Sequence, residues 1–484
     1  MPKDPNHRCL QRVRWIAWTA VALAGCSVGP NYVRPVAEAP PAYKEAQGWK
    51  VAEPKDQQPR GNWWEVFNDP QLSSLLTQVE ISNQTLKAAE ARVREARALT
   101  QAARAAFFPV VTANASASRS GSGSGAARVG SAGGQGSGGG GVSNSYNLAL
   151  EVNWEVDLWG RIRRTVEASE ATAQASAADL EAAKLSAQAT LSEDYFLLRV
   201  QDAQIRLLND TVAAYEKSLQ LTRNQYAVGV VGRVDVAQAE TQLSSTRAQA
   251  IDAAIQRAQL EHAIAVLVGK PPAEFSVAVA DVPAGFPDVP PGIPSELLER
   301  RPDIAAAERR AAAANAQIGV AEAAFFPSLT LSATGGFQSS LLSHLISLPS
   351  RYWSIGSALA QTIFDAGLRR AQTAQAIATY DENVANYRQT VLAGFQEVED
   401  NLAALRILEQ EAVVQDDAVK SARESVTITL NQYRAGTANY LAVVVVQATA
   451  LANERAALAI LGRRLDASVA LIKALGGSWD AAAL

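Results

Sequence analysis

Cysteine is almost missing. Cys9 and Cys26 are the two in 484 residues, so nothing after residue 26 can be held by a disulfide. Histidine is nearly as scarce, and His7, His262 and His344 are far apart in the chain, which argues against a structural zinc site. No apolar run reaches the ~18–20 residues of a membrane-crossing helix. If this chain spans a membrane, it must do so with strands. Neither sign of charge dominates. The net charge is −4, and Lys3, Arg8, Arg12 and Arg14 stand against Asp4 in the first 25 residues; the remainder holds 40 basic and 47 acidic residues. A mildly acidic body gives no electrostatic reason to bind nucleic acid. No His-centred, Cys-centred or paired-carboxylate group has useful catalytic spacing, so neither an enzyme nor a cofactor is expected.

The N-terminus has more to say. Basic residues end at Arg14, Trp15 to Ala24 are mostly apolar, and Leu23-Ala24-Gly25-Cys26 follows. That order describes a secretory signal, and the cysteine after small residues predicts a bacterial lipobox with cleavage before Cys26 and lipid on its thiol. Cys9 would leave with the signal.

An internal repeat organises the rest. Asn224-Gln225-Tyr226 and Gly229 recur as Asn431-Gln432-Tyr433 and Gly436, at an offset of 207. Ala106-Phe107-Phe108-Pro109 recurs as Ala324-Phe325-Phe326-Pro327, at an offset of 218. The extra length of the first half falls at Ser120–Ser145, which holds 11 of the 31 glycines and one charge, Arg128. It lacks the Gly-Lys-Ser/Thr of a phosphate loop and is expected to be an exposed loop. Between the halves, residues 271–294 carry seven prolines and read as a linker, with a helix restarting at Pro302.

Proline is absent from Val110 to Lys270 and from Ser350 onward, and glycine from Arg161 to Val228. Arg161–Tyr226 and Leu368–Tyr433 are 66 residues each and rich in helix formers; each would be a helix of ~99 Å. Leu191, Leu198, Ile205, Val212, Leu219 and Tyr226 recur every seven residues, as do Val398, Leu405, Ala412, Val419, Val426 and Tyr433. A seven-residue stripe predicts supercoiled helix packing.

Strand signals precede both helices. Leu148, Leu150, Val152, Trp154, Val156 and Leu158 alternate with a face carrying Glu151, Glu155 and Asp157. An apolar face for lipid and a polar face for a wet lumen would suit a barrel wall. Val110–Ser118 is its expected partner, and Ser328–Phe337 and Tyr352–Asp365 are weaker counterparts. Four strands cannot close a barrel, so chains must pool them; three chains supply twelve.

These residues resemble the outer-membrane factor family, the TolC-like channels, and within it the NodT-type lipoproteins of resistance-nodulation-division (RND) efflux. The likeness is carried by Leu298-Glu299-Arg300-Arg301-Pro302-Asp303-Ile304, Ala324-Phe325-Phe326-Pro327-Ser328, Gly25-Cys26-Ser27-Val28-Gly29-Pro30-Asn31-Tyr32, Trp63-Trp64 with Asp69-Pro70, and Tyr433-Arg434-Ala435-Gly436. The resemblance implies a mixed α/β membrane protein: a homotrimeric twelve-stranded β-barrel, four strands per chain, continued by a long periplasmic α-helical barrel. It implies a passive outer-membrane conduit for small molecules, lipid-anchored and spanning, served by a periplasmic adaptor and an inner-membrane RND transporter. A periplasmic structural coiled-helix protein and a type I protein-secretion outlet are the competing readings.

The expected organisation is a signal peptide (1–25), a lipidated arm and equatorial segment (26–75), a first repeat (76–270), the linker (271–294), a second repeat (295–473) and a tail (474–484). By resemblance, the periplasmic tips that meet the adaptor include Gly229, Gly232, Arg434 and Gly436. Tyr226, Tyr433, Asp235, Gln238, Leu441 and Val445 belong to the aperture beside them. Val445 stands where the family often has aspartate, so Leu441–Val446 could close the pore as an apolar constriction or pack a helix seam, and Asp235 is the acid retained beside a tip.

Overall fold

A computed structural model describes residues 27–37, 39–45, 62–121, 142–282 and 300–477. Cys26 and the expected signal peptide before it, the glycine-rich stretch 122–141, most of the proline-rich linker and residues 478–484 lie outside the described residues. The elements are α1 (Pro70–Ser82), α2 (Gln84–Ala105), β1 (Val110–Gly121), β2 (Val142–Val156), α3 (Arg161–Ala227), α4 (Arg233–Leu267), α5 (Pro302–Ala323), β3 (Ser328–Ser339), β4 (Arg351–Ala360), α6 (Leu368–Arg434) and α7 (Tyr440–Ala474). The two long helices are 67 residues each. They match the expected ranges within one residue at the C-terminal end.

The chain divides into two compact units. The first, Met1–Arg34, Glu95–Ala173 and Arg310–Val384, holds one antiparallel sheet in the order β1-β2-β3-β4. Its limits follow from proline chemistry. Pro109 and Pro327 stand just before β1 and β3 and have no N–H to give to a ladder. β4 therefore stops at Ala360, the partner of Ser328, rather than reaching the expected Asp365. Asp365 instead accepts hydrogen bonds from the Gly367 and Arg369 amides and starts α6. β2 likewise ends at Val156, so Asp157 is not a lumen residue as its alternation suggested. Its carboxylate accepts from the Ile162 and Arg163 amides at the start of α3, satisfying N–H groups that the first helical turn leaves open.

The same unit anchors the N-terminal arm. The Val28 amide donates to the Trp159 carbonyl at 3.0 Å. The buried Arg164 guanidinium donates to the Val28 and Gly29 carbonyls and to Asn31 Oδ1. Gly29, at φ +93°, lies against the Gly319 backbone so closely that a Cβ would not fit. The repeat persists in detail: Trp154 Nε1 donates to the Phe107 carbonyl at 3.0 Å and Gln361 Nε2 to the Phe325 carbonyl at 2.9 Å.

The second unit, Pro35–Arg94, Gln174–Arg309 and Ala385–Leu484, is helical. The heptad stripe packs it: Leu191, Leu198, Leu219 and Val398 are buried. Trp63, Trp64 and Phe67, on a short 3-10 turn, join Leu72, Leu76 and Phe196 in the main core. α7 departs from the expectation that no helix is apolar enough to cross a membrane, because one stretch of 18 residues is. Glu454, Arg463, Arg464 and Asp466 interrupt the helix, and Leu465, Val469 and Ile472 face the core.

Candidate functional site

The sheet has two chemically distinct faces. Cross-strand register puts Leu150 beside Ala113 and Gly335, Trp154 beside Leu331, Ala333 beside Ile355 and Gly335 beside Trp353. The other face carries Thr112, Asn114, Glu151, Asn153, Thr330 and Ser332 in the same register. Tyr352 belongs to this polar face and donates its hydroxyl to Asn147 Oδ1 at 2.9 Å. On the apolar face Leu150, Trp353, Ile355 and Leu359 are all exposed. A wall with one apolar and one polar face is what separates lipid from a watery lumen.

In the second unit, two helix hairpins carry most of the remaining expected residues. α3 is followed by Gly229 and α6 by Gly436, both at φ +76°. The paired bonds Gly229 N–H to Tyr226 O and Val230 N–H to Gln225 O recur as Gly436 to Tyr433 and Thr437 to Gln432. This left-handed glycine termination satisfies the last carbonyls and reverses the chain. Gly232 and Arg434 are exposed beside the turns.

The returning helices start differently in the two halves. Before α4 stands Gly232, which has no side chain to cap with; the Asp235 carboxylate reaches back to the Gly232 N–H at 3.1 Å. Before α7 the cap is Asn439, whose Oδ1 accepts from the Ala442 amide at 2.9 Å. Acid and amide thus exchange positions between the repeats, which explains why Asp235 is retained where its counterpart is Ala442.

The expected aperture residues separate. Val443 is fully buried, whereas Leu441 is 53% and Val445 55% exposed. Tyr433 is buried in the seam, with its hydroxyl 3.1 Å from Thr222 Oγ1 and its ring edge-on to Tyr440 at 5.4 Å. Tyr226, its counterpart in the first repeat, is exposed. Gln238 is half-buried with Oε1 turned into the protein. Burial raises the Tyr433 hydroxyl pKa and pushes that of Tyr440 up to about 12, so both stay neutral seam residues. Arg223 and Glu240, 2.9 Å apart, brace the first hairpin. Among the described residues no group of three His, Cys, Asp or Glu is placed to hold a metal ion.

Sequence reasoning missed the Arg164 clamp, because nothing local marks an arginine that binds the backbone of residues 28 and 29, so far away in the chain. The Asn439 cap was legible, since an asparagine directly before an apolar helical run is a common start signal.

The outer membrane efflux protein family matches residues 75–270 and 293–477. The chain is similar to the toluene efflux pump outer membrane protein TtgC of Pseudomonas putida, at 32% identity over 96% of this chain and 95% of that one. It is 31% identical to outer membrane protein OprJ of Pseudomonas aeruginosa, over 95% of each. Among solved structures, the outer-membrane channel OprN matches with a TM-score of 0.85 at 32% identity, covering 93% of this chain and 99% of that one. The Campylobacter jejuni CmeC outer membrane channel matches with a TM-score of 0.86 at 26% identity, covering 94% and 96%. A two-faced sheet, duplicated long hairpins and near full-length likeness lead to one conclusion: this chain belongs to the outer membrane efflux protein family and is a subunit of an outer-membrane efflux channel, a β-barrel with a long helical barrel.

Proposed function

We propose that the chain is the outlet of a tripartite efflux system, a homotrimer that passively conducts small molecules delivered by an inner-membrane RND transporter through a periplasmic adaptor. The observation that carries this reading is the four-stranded sheet with β1 and β4 at its edges. Unpaired edge N–H and C=O groups are not viable in lipid. β4 of one copy must therefore pair with β1 of the next, and three copies give a twelve-stranded wall. The exported class follows the relatives' names, which include toluene and antibiotic efflux proteins. The hairpin turns at Gly229 and Gly436, with Gly232 and Arg434, are the surface for the adaptor. Exposed Leu441 and Val445 line an apolar constriction beside them.

Lipid on Cys26 would add an anchor. Ser27, the next residue, packs against Gly160, just after β2. Mass spectrometry of the mature N-terminus tests this; an unmodified residue elsewhere overturns it.

The whole reading is tested by expressing the chain with its partner pump in a host lacking its own outer-membrane efflux channel. Heat-resistant trimers in outer-membrane extracts and lowered accumulation of a pump substrate are expected. Monomers with unchanged accumulation overturn it.

A further inference from the structure

The turn between β3 and β4, residues 340–350, contains no Asp, Glu, Lys or Arg. Leu341, Leu342, Ile346 and Leu348 are all exposed there, the last two at 77% and 81%. Its counterpart between β1 and β2, residues 122–141, is rich in glycine and serine, so an aliphatic turn is not something this end of the sheet requires. We propose that residues 340–350 form a lipid-embedded foot, whose aliphatic side chains enter the acyl chains of the outer leaflet beside the barrel wall.

Three observations carry the proposal. The first is direction. Ser339 shares the apolar face of β3 with Leu331 and Phe337, and its Oγ accepts the Leu341 N–H at 3.2 Å. The turn therefore begins tied to the apolar face of β3. It ends at Arg351, opposite Phe337 on that same face, and exposed Trp353, Ile355 and Leu359 continue the apolar surface down β4.

The second is polar satisfaction. A segment entering hydrocarbon must pair its own backbone groups. Two 3-10 turns, Leu342–His344 and Leu348–Ser350, do much of this. The hydroxyls of Ser347 and Ser350 both donate to the His344 carbonyl, at 2.7 and 2.8 Å. The Leu345 amide donates to Leu342 and the Ser350 amide to Ser347. Pro349 has no N–H to satisfy.

The third is charge. The charge at the root of the turn is the exposed cation Arg351, which suits the phosphates of an anionic leaflet at headgroup level. Membrane lipid is therefore the occupant the turn fits, rather than water or a second copy folded over the channel mouth.

The proposal rests on the trimeric channel reading, and the test separates the two. Full-length Ile346→Cys and Leu348→Cys proteins are labelled with an environment-sensitive nitrobenzoxadiazole fluorophore, the unsubstituted protein reporting any label on Cys26. Heat-resistant trimers are then placed in vesicles containing acyl-chain doxyl lipid. Failure to form trimers is seen before any fluorescence is read, and it counts against the channel. Blue-shifted emission, quenched by doxyl lipid and indifferent to aqueous iodide, is the expected result. Quenching by iodide overturns the proposal in favour of water. Protection from both quenchers overturns it in favour of a neighbouring copy. A Leu342→Asn, Ile346→Asn, Leu348→Asn triple variant should keep its trimers and conductance; loss of trimers would likewise mean that the turn packs between copies.

Discussion

The carbonyl oxygen of Arg300 lies under 3.0 Å from where a Cβ on Gly476 would stand, and the Ser82 carbonyl meets Gly269 in the same way. The neighbouring residues repeat the arrangement. Asn83 Nδ2 donates to the Leu267 carbonyl at 2.8 Å, and Arg301 Nη1 donates to the Ala474 carbonyl at 3.2 Å. Each returning helix thus ends on the residues that begin its own half. Gly269 and Gly476 also sit at φ +70° and +87°, so alanine there meets both a clash and a disfavoured backbone. At Gly229 and Gly436 a Cβ would meet nothing within 4 Å among the described residues. Gly229→Ala and Gly436→Ala should cost only the left-handed backbone, about 1–2 kcal/mol. Gly269→Ala and Gly476→Ala should cost about 1–3 kcal/mol more through overpacking. Thermal unfolding followed by circular dichroism checks the order; equal losses at all four sites would refute it.

That contrast shows what the sequence could and could not reveal. The 207-residue offset finds Gly229 and Gly436 directly, because both follow the same Asn-Gln-Tyr. Long proline-free runs give α3 and α6 within one residue, because helix propensity sums over many positions. The end of β4 was not legible from Tyr352–Asp365 alone, since it depends on Pro327 in the partner strand. The separation of Val443 from Val445 was equally hidden, because nearby valines look alike until a neighbouring helix covers one. Arg199 shows no local signal either, since its partners come from elements far apart in the chain.

Arg199 is fully buried and Asp202 nearly so. The guanidinium donates to Asp202 Oδ2 at 3.1 Å, to the Ala278 carbonyl at 2.7 Å and to Gln71 Oε1 at 2.7 Å, and lies over the Tyr195 ring. Arg257 also reaches Asp202, at 2.7 Å. Arg199→Met would leave Asp202 with one cation and three acceptors unfilled. Breaking a buried pair from one side costs about 3–5 kcal/mol. Arg199→Lys should recover only part of this, because an ammonium lacks the planar fork. Unfolding midpoints of the detergent-solubilised trimers measure both; near wild-type stability for Arg199→Met would exclude the network as a structural keystone.

Asp466 couples this helical unit to pH. Among the described residues its Oδ1 is buried without a hydrogen-bond partner. Burial first, and then repulsion from Glu193 and Asp194, pushes its carboxyl up to about 7. Burial raises Glu193 and Asp194 as well, with Lys473 opposing the shift at Glu193. An acid raised in the folded state keeps a proton that the unfolded chain has lost, so folding is favoured at low pH and loses stability as pH rises from about 4 to about 7. Asp466→Asn should therefore raise the unfolding midpoint above neutral pH and change it little near the ordinary carboxylate pKa. A midpoint difference between the two proteins that does not vary with pH would rule this out.

The aperture gives the last prediction. Leu441 and Val445 are exposed on the first turns of α7 while Val443 is buried between them. In a trimer each would appear three times, so one substitution changes a whole ring. A constriction of methyl groups cannot replace an ion's hydration water, and the resting channel should conduct poorly without strong block by divalent cations. Val445→Asp should add three carboxylates, raise cation selectivity and create divalent block, since an acidic ring draws cations to itself. Asp235 requires a more careful change because its carboxylate holds the Gly232 N–H. Asp235→Asn preserves an acceptor for that bond while removing the charge, and should weaken any cation preference without loosening the hairpin. Asp235→Ala removes both and should also cost about 1 kcal/mol of helix capping. Planar-bilayer recordings of the variants, with unfolding midpoints beside them, separate pore effects from capping effects. If Val445→Asp leaves conductance, selectivity and divalent block unchanged, Val445 lies against a neighbouring helix and the constriction is formed elsewhere.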